Sequence, residues 1–195
     1  MFARVMARVE DNKKSSVNSE TITQRNDRRA IASQFCLVLA LMILGSLTLN
    51  LVLCVTGFFV GKTVSVLEPC LAISLSLIAA LLLIRRCWNW PPKRVALLGL
   101  VYILSLAVPI ALAPRFHDVS CDGQTYQGSA VAKLAAGWNP IRDPENIDPV
   151  PYNSTLINIL RFPKAHWIGE SAIVKLTGNL ESGKGLNLIL AAVSF

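Results

Sequence analysis

From Phe35 to Val60 the chain runs through 26 residues without a charged side chain. A helix rises about 1.5 Å per residue, so about 20 residues cross a hydrocarbon core of about 30 Å. This run crosses with length to spare. It has to be a helix, because an open strand would leave backbone groups unpaired in lipid. Two further runs follow, Thr63 to Ile84 and Val95 to Pro114. The second is interrupted near its start by Glu68-Pro69, which a helix tolerates because the first turn has no partner for the missing N–H. Glu68 itself reads as an interfacial or snorkelling carboxylate. The third run carries Pro109, expected to kink or end its helix.

The expected fold class is therefore all-α integral membrane. A polar tail (1–34) precedes three transmembrane helices (35–114). An extracytoplasmic loop with amphipathic helices (115–185) follows, then the start of an incomplete fourth transmembrane helix (186–195). The tail has mixed charge and few large apolar residues after Met6, and reads as disordered. The last ten residues would make about 15 Å of helix, half a crossing, so the chain reads as the N-terminal part of a longer protein. Composition agrees: 53% of residues are hydrophobic and 16% charged, against about 45–50% and about 25% in soluble domains.

The net charge of +7 invites comparison with nucleic-acid binders, but its distribution argues against one. Residues 1–34 carry seven Lys/Arg and four Asp/Glu, residues 35–114 five against one, and residues 115–195 seven of each. The basic excess flanks the spans, which is a topology signal rather than a phosphate-binding face. The loop 85–94 (Arg-Arg-Cys-Trp-Asn-Trp-Pro-Pro-Lys-Arg) has four cations and two tryptophans, whereas Gly61-Lys62 has one cation. This asymmetry places the N-terminus and the 85–94 loop in the cytoplasm of a cell membrane and 115–185 outside. The five cysteines form no disulfide framework: Cys36, Cys54 and Cys70 lie in apolar runs, Cys87 in the basic loop, and Cys121 alone in the exported segment.

In that segment, Thr125–Gly137 spaces Tyr126, Val131, Leu134 and Ala135 as one helical stripe, and Ala165–Leu176 is a second amphipathic helix. In the latter, Trp167, Ile168, Ile173 and Val174 form the apolar side, and Glu170 and Lys175 the polar side. Between them, Pro140, Pro144, Pro149 and Pro151 dictate loop, and Asn153-Ser154-Thr155 is a glycosylation sequon. Gly178-Asn-Leu-Glu-Ser-Gly183-Lys184-Gly185 nearly fits a phosphate-binding loop. It lacks the final hydroxyl that holds magnesium, so it reads as a glycine-rich cap and turn. Transporters show broken spans and mid-membrane polar residues, whereas here Asn50 and Glu68 are the strongly polar residues within the runs.

Asp118 and Asp122 stand just beyond the third span. A carboxylate at the lipid–water boundary can hold a divalent cation or accept a proton from a hydroxyl. Asp122 can equally cap the helix that starts near Thr125. Asp122-Gly-Gln-x-Tyr126, Gly137-Trp-Asn-Pro140, Phe162-Pro-Lys-x-x-Trp167 and Leu176-Thr-Gly-Asn179-x-Glu181-x-Gly183-Lys184-x-x-Asn187 together resemble the first exported loop of bacterial multi-pass proteins. Those proteins resemble the C-type (GT-C) glycosyltransferases. The resemblance covers about residues 115–195. It departs at Gln127, where His is expected, and at Cys121, where an aromatic is expected. It implies sugar transfer from a polyprenyl-phosphate donor, with Asp122 as base or cation ligand and Asp118 as the weaker candidate. The donor would meet Lys164, His166, Arg161 and Tyr126. The implied partners are the bilayer and the lipid-linked sugar, and the implied cofactor is a divalent cation. The rival expectation is a non-catalytic multi-pass membrane protein, a fragment of a transporter or export component, or an inactive truncated remnant of the transferase.

Overall fold

The structure is a computed structural model and describes residues 2–116, 127–143 and 165–194, with side chains from residue 29 onward. Every regular element in them is helical, and three helices are long and apolar enough to cross a membrane. The chain is an all-α membrane protein. The sequon, the proline-rich stretch 144–151 and Cys121 lie outside the described residues.

The chain divides into two units, Met1–Leu39 and Ala40–Phe195. The first is one helix, the start of α1 (Phe2–Phe59). A disordered tail was expected for residues 1–34, but the helix begins at Phe2. The physical reason is composition: residues 1–44 contain neither Gly nor Pro, so nothing local breaks the hydrogen-bond ladder.

In the second unit, α2 (Leu67–Cys87) and α3 (Pro92–Leu112) follow the end of α1. Each has 21 residues, about 31 Å of helix, enough for one crossing. Both are two-faced. On α3, Leu98, Tyr102 and Leu106 are buried at four-residue spacing, while Leu97, Leu100, Leu104 and Val108 are exposed. On α2 the exposed stripe is Leu71, Leu75, Ile78 and Leu82, and small residues such as Ala72 and Ala80 face inward. An exposed stripe this apolar is a lipid-facing surface.

Two details differ from expectation. The second span starts at Leu67, four residues later than Thr63, and Ser65 and Glu68 brace the turn just before it. The Glu68 carboxylate accepts from the Ser65 N–H at 2.9 Å and from its hydroxyl, and the Leu67 N–H donates to Ser65 Oγ at 3.1 Å. One orphan donor of the first turn, the Leu67 N–H, is thereby satisfied, and Glu68 braces the turn that leads into the helix. Glu68 thus holds the entry turn of α2 through Ser65. Pro109 does not end α3, which continues to Leu112 and then tightens into a 3₁₀ turn, Ala113–Arg115. So near the C-terminus proline removes one ladder bond, and in lipid the following N–H groups have no better partner than the helix.

Beyond the spans come α4 (Gly128–Ala136), α5 (Ala165–Thr177), a 3₁₀ segment (Leu180–Lys184) and α6 (Gly185–Ser194). The helix α4 stops at Gly137, whose φ of +114° favours glycine, with the Gly137 and Trp138 N–H groups both donating to the Lys133 carbonyl. Val131 and Leu134 of α4 and Trp167, Ile168 and Ala172 of α5 join Cys54 and Phe58 of α1, Val64 and Trp138 in one buried cluster. The α4–α5 layer is therefore seated on the C-terminal end of α1.

Expected to be simply amphipathic, α5 instead buries six of its residues, Trp167, Ile168 and Glu170–Ile173. Gly169, Ala172 and Ile173 share a void of about 50 Å³ with Ser46, Asn50, Pro69 and Ile110, so α5 is wedged against the spans. Its neighbour α6 packs along α3: a Cβ on Gly185 would lie 2.8 Å from the Ile110 Cα. The two helices touch backbone to backbone, as small residues permit between membrane helices.

Candidate functional site

Glu170 is the chemical centre of the layer. Its side chain is 4% exposed, although the sequence pattern placed it on the polar side of α5. An uncompensated carboxylate in such a place costs several kcal/mol, so its partners explain its presence. One turn earlier on α5, His166 Nε2 lies 3.1 Å from Oε1. At the entry to α4, the Gln127 side-chain amide donates to both oxygens at 3.3 Å. The 3₁₀ segment closes the third side: a Cβ on Gly183 would stand 3.2 Å from the Glu170 Cβ. The Glu170 carboxylate holds the His166 imidazole above its ordinary pKa by hydrogen bonding, burial opposes this, and the carboxylate's charge adds to the rise.

Glu170 and Gln127 line a cavity of about 570 Å³ together with Ser129, Glu181, Lys184 and Asn187 on the polar side and Phe116, Leu180 and Leu188 on the apolar side. Lys184 is in contact with the Glu181 carboxylate and donates to the Phe116 carbonyl at 3.5 Å. The lining is divided, with polar groups on Gln127, Lys184 and Asn187 and apolar surface on Phe116 and Leu188, the chemistry an amphiphile needs.

The glycines of the segment 178–185 serve this packing. Gly178 takes φ +69° just past α5, and the Asn179 carbonyl oxygen of the side chain accepts from the Glu181 N–H at 2.9 Å. Gly183 and Gly185 let the segment approach α5 and α3. That is the cap-and-turn reading, and it leaves no phosphate-binding loop.

Of the residues singled out in the sequence, His166 is described and sits on the shoulder of this site, bonded to Glu170. Asp122, Asp118, Tyr126, Arg161 and Lys164 lie outside the described residues. The described chain ends at Phe116 and resumes at Gln127, and both of these line the cavity. Among the described residues no group of three or more His, Cys, Asp or Glu side chains is arranged to hold a metal ion.

Sequence reasoning missed Glu170, Gln127 and the two packing glycines. A signal was present in α5: His166 and Glu170 are one turn apart, and Glu170 is flanked by Gly169, Ser171 and Ala172. Small neighbours around a carboxylate indicate close packing rather than a solvated face. No protein-family model matches the chain, and neither a curated protein nor a solved structure matches it.

Proposed function

We propose that this membrane protein is a lipid-linked sugar transferase of the GT-C kind, working on the extracytoplasmic side with a polyprenyl-phosphate sugar as donor. The observation that carries the reading is the amphiphilic cavity of about 570 Å³ built around buried Glu170, beside a bundle of membrane-spanning helices. In the reaction an acceptor hydroxyl bonds to the anomeric carbon, the bond from that carbon to the phosphate oxygen breaks, and the polyprenyl phosphate leaves with the electron pair. The hydroxyl proton goes to a base. Asp122 takes that role, or holds a divalent cation that offsets the phosphate charge, with Asp118 as its lesser neighbour. Both belong to residues 117–126, which join the cavity-lining Phe116 and Gln127. Lys184 of the cavity, with Arg161, Lys164 and His166, supplies positive charge to the leaving phosphate, and Tyr126 borders the sugar. Glu170 acts as a positioning residue that orients His166.

One observation favours a non-catalytic role instead: the polar groups are already paired, His166 with Glu170 and Lys184 with Glu181. Asp122→Asn separates the two readings. Asparagine keeps the turn-capping oxygen but loses the charge, so folding is retained while transfer falls about 10²–10⁴-fold. The measurement is transfer from a polyprenyl-phosphate sugar by the full-length protein, with expression and melting temperature followed in parallel. Near-normal transfer by Asp122→Asn would reject the reading.

A further inference from the structure

At the other end of α2 and α3 the chain makes a tight turn. The Trp88 and Asn89 N–H groups both donate to the Ile84 carbonyl, at 3.0 and 2.9 Å, and Asn89 takes φ +44°. Asn tolerates that left-handed conformation better than most side chains. The turn folds Trp90 back until it is 8% exposed, stacked on Trp88 with ring centroids 5.7 Å apart. The Arg94 guanidinium sits over the Trp90 ring, 5.6 Å from its centroid.

This leaves a groove of about 570 Å³, walled by Ile78 and Leu82 of α2 and Val95 of α3, with Trp90, Arg85 and Asn89 at its mouth. From Ile78 to Arg85 is seven residues, about 10 Å along the helix axis. The groove thus runs from a cationic rim down an apolar wall into the span.

We propose that this groove binds an anionic glycerophospholipid, with its phosphodiester on Arg85 and Asn89 and the first part of an acyl chain between α2 and α3. Charge complementarity selects the occupant. Residues 85–94 hold four cations and no carboxylate, and a guanidinium matches a phosphodiester with paired donors. A zwitterionic lipid carries its own cation beside the phosphate and gains less. Basic pockets between membrane helices are where anionic headgroups are held, and the Trp88–Trp90 pair adds the amphipathic surface of an interfacial belt. The site is separate from the Glu170 cavity and stands whether or not the transferase reading does.

The chain's fluorescence provides the test. The full chain is reconstituted in phosphatidylcholine vesicles containing a fixed mole fraction of brominated phosphatidylglycerol or, in parallel, brominated phosphatidylcholine. Quenching of the tryptophans at the turn is expected to be stronger with the brominated anionic lipid. Replacing Trp88 and Trp90 by Phe should abolish that excess. Arg85→Gln should lower the anionic preference about tenfold, the usual worth of a charge-assisted hydrogen bond to a phosphodiester. Arg86→Gln is the control: Arg86 is exposed, carries the same charge one residue on and does not line the groove. It should leave most of the preference intact, with both variants melting as the parent does. Equal quenching by the two lipids, or equal losses from Arg85→Gln and Arg86→Gln, would overturn the proposal, the latter because diffuse surface attraction would then suffice.

Discussion

The side-chain amide of Asn139 donates to the Phe58 carbonyl at 3.0 Å, across 81 residues of sequence, and to the Lys62 carbonyl at 2.9 Å. The same side chain's oxygen accepts from the Ile141 and Arg142 N–H groups at 3.0 Å each. All of its hydrogen-bonding capacity is in use, half holding its own turn and half closing the end of α1. Arg142 completes the closure by donating to the Phe59 carbonyl. The last carbonyls of a helix have no partner within it, so the segment that follows α4 itself caps the first span.

Asn139→Ala should therefore cost about 0.5–1.5 kcal/mol, the usual net worth of a hydrogen bond, because the Phe58 carbonyl keeps the Gly61 N–H at 3.1 Å. Asn139→Asp should cost more, because it sets a carboxylate against two carbonyls. Thermal unfolding of the detergent-solubilised protein provides the measurement. An unchanged melting temperature for both variants would show that the cap is dispensable.

The sequence made this legible only in part. Three apolar runs, the second holding Glu68, announce three spans because the bilayer's demand is local and long, and α2 and α3 begin and end within a few residues of their runs. The Ser65–Glu68 contact at the entry to α2 is local in sequence, yet beside an apolar run Glu68 reads only as an interfacial or snorkelling carboxylate. Asn139 and Glu170 were illegible for another reason. The carbonyls that Asn139 serves lie 81 residues away, and the amide that steadies Glu170 comes from Gln127, 43 residues away. Periodicity within one helix reports how that helix is faced, not what another element brings to it.

Close packing makes glycine substitutions diverge in sign. A Cβ on Gly185 would meet the Ile110 backbone at 2.8 and 3.0 Å, where nothing flexible can yield. Gly185→Ala should push α6 off α3 and cost about 1–3 kcal/mol, the range for overpacked sites. Around Gly99, inside α3, a Cβ would meet nothing within 4 Å. Gly99→Ala should be neutral or stabilising by up to about 1 kcal/mol, the gain in backbone entropy. Melting curves for the two variants, side by side, test the α3–α6 contact. Equal effects would mean that it is not as close as described.

The His166–Glu170 pair has a pH signature. His166 is held above its ordinary pKa of 6.5, first by its hydrogen bond to Glu170. Folding therefore favours the protonated ring, and the stabilisation is complete below the ordinary value. It is lost as pH rises through the raised value of the folded state. The melting temperature should thus fall as pH rises from the ordinary value of 6.5 through the raised one, and Glu170→Gln should flatten that slope. With His117 replaced by Gln, an NMR titration of His166 reads the pKa directly. A midpoint at or below the ordinary value would contradict the pairing.

Sidedness can be tested with the chain's own cysteine. Cys87 is exposed at the end of α2 that carries Arg85, Arg86, Lys93 and Arg94, and Ala136 is exposed at the end of α4. Short loops rich in Lys and Arg stay in the cytoplasm, and α3 crosses once between these two positions. In a background with the remaining cysteines replaced, a membrane-impermeant maleimide applied to intact cells should label Ala136→Cys and leave Cys87 unlabelled until the membrane is opened. The reverse pattern would turn the molecule over in the bilayer. It would put the Glu170 cavity on the cytoplasmic face and reject the extracytoplasmic donor, while leaving the groove beside Arg85 and its lipid test intact.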